Sequence, residues 1–351
     1  MSHDKPTPPR LSYPHETPPP PGTTLELAPG VHWLRMPLPF PPDHINLWLL
    51  ADGPKDRPTG WTIVDAGLAR DDAKGHWEQI FAGILNGLPV TRLIVTHFHP
   101  DHMGLAQWLC ERWQCELWMT AGEWYMARSV HANGSPADVA ARVGFYRGNG
   151  VSPEGIGPFA EPNNIYRRGV PEIPPVFRRI AGGQPLDIGG RSWLPIIGRG
   201  HAPEHACLWC AELGVLIGGD ILLPRISPNV SVWPNEPLAN PLRDYLDSLG
   251  GFGDVPADTL VLPAHGLPYR GVHERIADLR AHHEERLDAL AAALDPPRAA
   301  TGCFSLLFKR EIVPGTMGLA VGEALAHLHY LEWQGRARRE RINGVWMFHR
   351  T

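Results

Sequence analysis

From about residue 25 the chain is written in short apolar runs bounded by Gly, Pro and Asp: "GVHWLRMP", then "INLWLLAD", then "GWTIVDAG". Runs of this length and punctuation predict strands of a buried sheet. In "DDAKGHWEQIFAGILNGL" (71–88), Trp77, Ile80, Phe81, Ile84 and Leu85 recur at helical spacing and predict an amphipathic helix. "VTRLIVTHF" follows as a strand, "HMGLAQWLCERW" as a helix and "CELWMT" as another strand. Strand–helix–strand alternation implies βαβ units with helices covering a sheet.

Residues 121–175 break this rhythm. They are rich in Gly, Pro and Asn, carry Arg128, Arg142, Arg147, Arg167 and Arg168, and offer only short helical pieces. An excursion of this size is either a substrate-covering insertion or a solvated surface loop. A second β-rich half starts near 176, with Gly pairs at 182–183 and 189–190 punctuating hairpin-like segments. "DTLVLPAHG" adds one more strand. "VHERIADLRAHHEERLDALAAAL" (272–294) is a helix with Ile276, Leu279, His283, Leu287, Leu290 and Leu294 along one face, ended by Asp295, Pro296 and Pro297. His282 and His283 in it read as packing or surface residues. In the tail, "GLAVGEALAHLHYLEWQGR" predicts a helix stopped by Gly335, and "ARRERINGVWMFHR" a hairpin turning at Asn343-Gly344. Helix followed by hairpin is the outline of a winged-helix module.

Composition narrows the class. The 351 residues suffice for one large α/β domain and an appendage, and 43% of them are apolar. A net charge of −5 marks no general affinity for nucleic acid or membrane surfaces. No run of 18 apolar residues predicts a transmembrane helix. The first 22 residues hold eight prolines and no apolar core of a signal peptide, so they predict an extended arm. Five cysteines make no disulfide framework and fit a reducing cytoplasm. Cys207 and Cys210 sit three apart on a predicted strand, hence on opposite faces, and read as core.

The chemistry concentrates in "THFHPDH" (96–102). His97 and His99 end a strand with both imidazoles on one face, so they can share an ion. Pro100 stops the strand, leaving Asp101 and His102 in the turn that follows. Three further polar residues are delivered by apolar strands into Gly-containing loops: His201 after "LPIIGRG", Asp220 after "VLIGGD" and His265 after "TLVLPA". Positions beyond the carboxyl ends of strands are where α/β folds build sites.

This set resembles the metallo-β-lactamase superfamily over roughly residues 25–285. The family pattern H-x-H-x-D-H, then a distant His, Asp and His, is met by His97, His99, Asp101, His102, His201, Asp220 and His265. The resemblance implies an α/β fold: an αββα sandwich of two packed mixed sheets flanked by helices, with a small C-terminal winged-helix domain. It divides the chain into the arm (1–22), the catalytic domain (23–285) and the tail unit (286–351). It assigns His97, His99 and His201 to a first ion, and Asp101, His102 and His265 to a second, with Asp220 bridging. Asp65 and His205 would support the site without binding metal. Asp rather than Cys at the bridge resembles the glyoxalase II and general hydrolase branches. The tail is similar to that of β-lactamase-like hydrolases with an appended winged helix, a group that includes an endoribonuclease.

The implied cofactor is a pair of zinc ions, with iron or manganese suited to closely related ligand sets. The implied reaction is attack of a metal-bridging hydroxide on a carbonyl or phosphorus centre, oriented by Asp101. A thioester, ester or lactone is the expected substrate, a small molecule with an anionic handle for which Arg142, Tyr146 and Arg147 are candidate contacts. The alternative is a nuclease using Arg336, Arg338, Arg339 and Arg341. A homodimer through the tail or the insertion is a further expectation.

Overall fold

The protein is described by a computed structural model, which covers residues 11–162, 164–309 and 311–351. The proline-rich arm falls partly outside them. From Leu11 onward it lies along the domain: Ser12 exchanges backbone hydrogen bonds with Arg270, and the Tyr13 ring sits 6.5 Å from that of Tyr269.

Seven strands form the first sheet in sequence order: β1 (Leu25–Ala28), β2 (Val31–Pro37), β3 (His44–Asp52), β4 (Gly60–Val64), β5 (Val90–Ile94), β6 (Glu116–Thr120) and β7 (Arg178–Ile180). β1 to β4 pair antiparallel; β4 to β7 pair parallel. The second sheet holds β8 (Leu186–Ile188), β9 (Arg191–Gly198), β10 (His205–Cys210), β11 (Val215–Gly219) and β12 (Leu260–Pro263), antiparallel except for the parallel pair β11–β12. The β-rich stretch from 176 therefore serves both sheets, because β7 closes the first.

Period-2 alternation decides which side chains meet. On β3, Ile45, Leu47 and Leu49 join the core under the first sheet's helices, whereas Trp48 and Leu50 join Trp33, Trp193, Leu208 and Ile217 between the sheets. On β10, Cys207 packs on the outer core and Cys210 between the sheets, opposite faces as their spacing predicts. Helices cover both outer faces, so the architecture is the expected αββα sandwich with mixed sheets. They are α1 (Asp71–Ala82), α2 (Pro100–Met103), α3 (Ala106–Trp113), α4 (Ala121–Ala132), α5 (Pro136–Gly148), α6 (Gly157–Ala160), α7 (Ile165–Gly169), α8 (Pro241–Ser248), α9 (Val272–Ala293), α10 (Phe304–Leu307) and α11 (Met317–Trp333).

Two expectations change. α1 stops at Ala82 rather than continuing to 88, because Gly83 follows and Asn86 and Gly87 adopt positive φ (49° and 77°). Leu85 is still buried, held by the turn. The 121–175 excursion is more helical than its composition suggests: α4 has 12 residues and α5 has 13, the latter started by a Ser135–Asp138 capping box. The C-terminal unit is α9's end, α10, α11 and the hairpin β13 (Ala337–Ile342)–β14 (Val345–Arg350), turning at Asn343-Gly344 with φ of 48° and 84°. Among the described residues no helix is long and apolar enough to cross a membrane.

Candidate metal centre

β5 runs into residues 95–99, which bond to β6 of the first sheet through Val95 N (to Trp118 O, 3.0 Å). The Thr96 carbonyl accepts there a bond from Ala206 N (3.0 Å), fixing the motif's backbone against β10. Pro100 opens α2, turning Asp101 and His102 back over the strand end. His201 follows β9, Asp220 follows β11 and His265 follows β12, so every contribution comes from a strand's carboxyl end.

The seven residues gather in two adjoining groups, His97, His99, His201 and Asp220, and Asp101, His102 and His265. In the first, His97 Nε2 lies 2.9 Å from His99 Nδ1, 3.3 Å from His201 Nε2 and 3.9 Å from Asp220 Oδ2. Asp220 Oδ2 lies 3.2 Å from His201 Nε2. In the second, His265 Nε2 is 3.4 Å and His102 Nε2 3.9 Å from Asp101 Oδ2. Asp220 Oδ1 completes that group, 3.6 Å from His102 Nε2 and 3.5 Å from His265 Nε2. Asp220 thus divides its two oxygens between the groups.

This donor set fits a metal pair. Tetrahedral ligands at about 2.0–2.1 Å from one zinc ion stand about 3.3 Å from each other, close to the spacings found. His102 Nε2 and Asp220 Oδ1 are buried, face each other, and have no hydrogen-bond partner among the described residues. An unpaired buried nitrogen and carboxylate oxygen aimed at one point are what a shared cation satisfies.

The opposite ring atoms explain why these nitrogens are presented. His102 Nδ1 is 2.8 Å from Asp65 Oδ2, His201 Nδ1 is 2.7 Å from Asn229 O, and His265 Nδ1 is 2.7 Å from His44 O. His97 Nδ1 meets Thr96 Oγ1 at 3.1 Å. An N–H donated on that side leaves Nε2 bare as a ligand. Asp65 also accepts from Thr96 N (2.7 Å), and holds its own backbone at φ 66° to do so.

Around His102 the neighbouring carboxylates favour positive charge. Burial works against charge on His102, yet Asp65, Asp101 and Asp220 hold its pKa well above the usual imidazole value. Burial likewise opposes ionisation of Asp220, but His265 and His102 keep its carboxyl well below the usual range. Burial pushes His99 down to about 3, leaving it neutral and ready to coordinate. His205 is buried and kept neutral by burial. Its Nε2 accepts the Asp220 backbone N–H at 3.1 Å, so it places the bridging residue without joining the cluster.

Three supports escape sequence reading. Glu123 is fully buried and accepts from Phe98 N (3.0 Å) and Glu204 N (2.6 Å), clasping the motif to the His201 loop; burial pushes its carboxyl up to about 7. Thr120-x-x-Glu123 has the spacing of a helix capping box, which hides this other use. Asn46 donates to Pro263 O (2.8 Å) and Gly266 O (3.0 Å), holding the His265 loop. Tyr166 donates to Phe98 O at 2.7 Å from the inserted α7.

The candidate substrate contacts are placed differently. Arg142 donates to Phe159 O (2.8 Å) and Glu161 O (2.6 Å), and Tyr146 stacks on Phe159 at 3.8 Å between ring centroids. Both are occupied with packing inside the excursion, because burial of its helices needs those partners. Arg147 is exposed in the last turn of α5. No hydrogen bond or ion pair joins the three to the seven clustered residues among the described residues.

Residues 40–265 match the family model described as metallo-beta-lactamase superfamily. The chain belongs to that superfamily. Residues 287–351 match the metallo-beta-lactamase-like C-terminal domain. Among solved structures, a beta-lactamase domain protein from Burkholderia ambifaria is 46% identical, with a TM-score of 0.86 over 97% of this chain and 99% of its own. A metallo-beta-lactamase family protein from Thermus thermophilus is 30% identical, with a TM-score of 0.77 over 93% of this chain and 100% of its own. The probable metallo-hydrolase YqjP of Bacillus subtilis (strain 168) is 25% identical, covering 89% of this chain and 94% of its own. The protein is a metallo-hydrolase of the metallo-beta-lactamase superfamily, with its candidate metal site at the carboxyl ends of the strands.

Proposed function

We propose that this metallo-hydrolase cleaves a small thioester, ester or lactone by glyoxalase II-like chemistry, with two zinc ions held by His97, His99 and His201 and by Asp101, His102 and His265. The observation that carries the reading is the division of Asp220, one oxygen toward each histidine group. Such ions, when bound, supply a water of pKa near ~7 and polarise the attacked oxygen. The protein's own part is orientation. Asp101, whose side chain is 15% exposed against 9% for Asp220, is the carboxylate open to an incoming reactant. It would orient the nucleophile beside His265 while holding the second ion. His99, only partly buried, marks the other open edge.

A nuclease reading would need free cations on the C-terminal hairpin. Arg336 is engaged by Asp288 (2.6 Å) and Glu284 (3.3 Å), Arg338 by Glu340 (3.6 Å) and Arg339 by Glu332 (3.4 Å). Arg341 Nε donates to Gly344 O at 3.2 Å. Three of these four arginines are thus paired with carboxylates, and this partial neutralisation favours a winged-helix-like tail used for packing over one that tracks phosphates. The test is a panel of a thioester, a lactone and RNA offered to zinc-reconstituted protein. Turnover of a carboxyl derivative with intact RNA is expected; RNA cleavage without carboxyl turnover would overturn the proposal.

A further inference from the structure

α11 belongs to the C-terminal unit, yet a continuous chain of hydrogen bonds links it to a clustered histidine. His201 Nδ1 bonds Asn229 O at 2.7 Å. The same residue's side-chain Nδ2 donates to Glu323 Oε2 at 3.1 Å, and Glu323 Oε1 accepts from Arg286 Nη1 at 2.7 Å. Ser231 Oγ donates to Asn229 Oδ1 at 2.7 Å, so both ends of the Asn229 amide are taken. The segment between β11 and α8 has no helix or strand of its own. Its shape is borrowed from α11: Val232 N donates to Gly322 O at 3.1 Å, and a Cβ on Gly322 would stand 2.7 Å from Ser231 Cβ.

Three of the other clustered histidines are held from within the sandwich, His102 by Asp65, His265 by His44 and His97 by Thr96. His201, by contrast with these three, is oriented from a loop that the tail unit anchors. Glu323 is well placed for this. Its side chain is 13% exposed, and burial raises its carboxyl while Arg286 opposes that rise. Orienting bonds of this kind fix the tautomer and ring angle of a ligating histidine.

We propose that Glu323 is a positioning residue for His201, acting through Asn229, so that the C-terminal unit forms part of the metal centre rather than an independent appendage. This rests on the two-ion reading of the site. The full-length chain is titrated with zinc against a chromophoric chelator, and with cobalt followed by its visible spectrum. In Glu323→Ala, one ion should bind about 10–100-fold more weakly, the usual effect of losing an outer partner, while the other changes less than about threefold. Asn229→Ala, which keeps the carbonyl but frees it from Glu323, should do the same, and the double variant should add nothing further. Glu323→Gln, retaining an oxygen for Asn229, should recover affinity to within about threefold of wild type. Glu332→Ala, which breaks the 3.4 Å Arg339 pair elsewhere on α11, should leave both affinities unchanged.

Wild-type affinity for both ions in Glu323→Ala and Asn229→Ala would overturn the proposal. So would equal weakening of both ions in step with a lowered Tm, which would make Glu323 merely structural. If Glu323→Ala does not fold, Asn229→Ala decides. A wild-type chain that binds no ion refutes the two-ion reading itself; a wild-type chain with two ions and indifferent variants refutes only this inference.

Discussion

Asp220 is the residue on which the site turns, because each of its oxygens faces a different histidine group. Replacing it with alanine removes one ligand from both groups at once. Asp220→Ala should lower turnover by more than about 100-fold, since loss of even an outer partner costs about 10–100-fold. Steady-state kinetics of the zinc-loaded protein measures this, and turnover within about tenfold of wild type would contradict it. Asp65 works one bond further out. Asp65→Asn turns one carboxylate oxygen into an NH₂ that cannot accept from His102 Nδ1 or Thr96, so zinc affinity should fall about 10–100-fold. A competition titration reads that shift. Gly219 is required by contact: its φ is +50° and a Cβ there would lie 2.4 Å from the His205 ring. Gly219→Ala should therefore destabilise the fold by roughly 1–3 kcal/mol in denaturant unfolding.

At the scale of elements, α9 and α11 meet through buried histidines. His283 Nδ1 lies 3.2 Å from His327 Nε2, and burial pushes their values down to about 2 and about 4. Well above pH 6.5 both are neutral whether the chain is folded or not, so the helix pair keeps its full stability. Below pH 6.5 the unfolded chain takes up protons that the folded helices refuse, and stability falls. For His327 alone the loss should approach about 3 kcal/mol by about pH 4. Denaturant unfolding at about pH 7.5, 6 and 5 should show a steady decline, made shallower by His327→Gln. A flat profile would contradict the account. The same helices illustrate what the sequence makes legible. The apolar face of α9 is readable from Leu279, Leu287 and Leu290 at helical spacing, and all three are buried. The length of α1 is not, because Ile84 and Leu85 continue its period while Gly83, Asn86 and Gly87 turn the backbone away. α4 and α5 are obscured by the Gly, Pro and Arg around them, whose partners lie elsewhere in the excursion, Arg142 on Phe159 O and Arg167 on His131 O.

For the whole molecule, the sandwich is legible because period-2 strands and amphipathic helices sort themselves by burial. The clustered residues are legible because apolar strands deliver lone polar residues at their ends. What escapes are the supporting contacts made across long separations: Glu123 to Glu204, Asn46 to Pro263 and Asn229 to Glu323 are 81, 217 and 94 residues apart. No local pattern encodes such pairs; they exist only once the two sheets and the tail have packed. The central claim is that this packing builds one site for two ions bridged by Asp220. Elemental analysis of the purified, zinc-reconstituted chain tests it most directly. The account predicts two ions per chain in the wild type and fewer than one tightly held ion in Asp220→Ala. One ion or none in the wild type, or two retained in the variant, would contradict it.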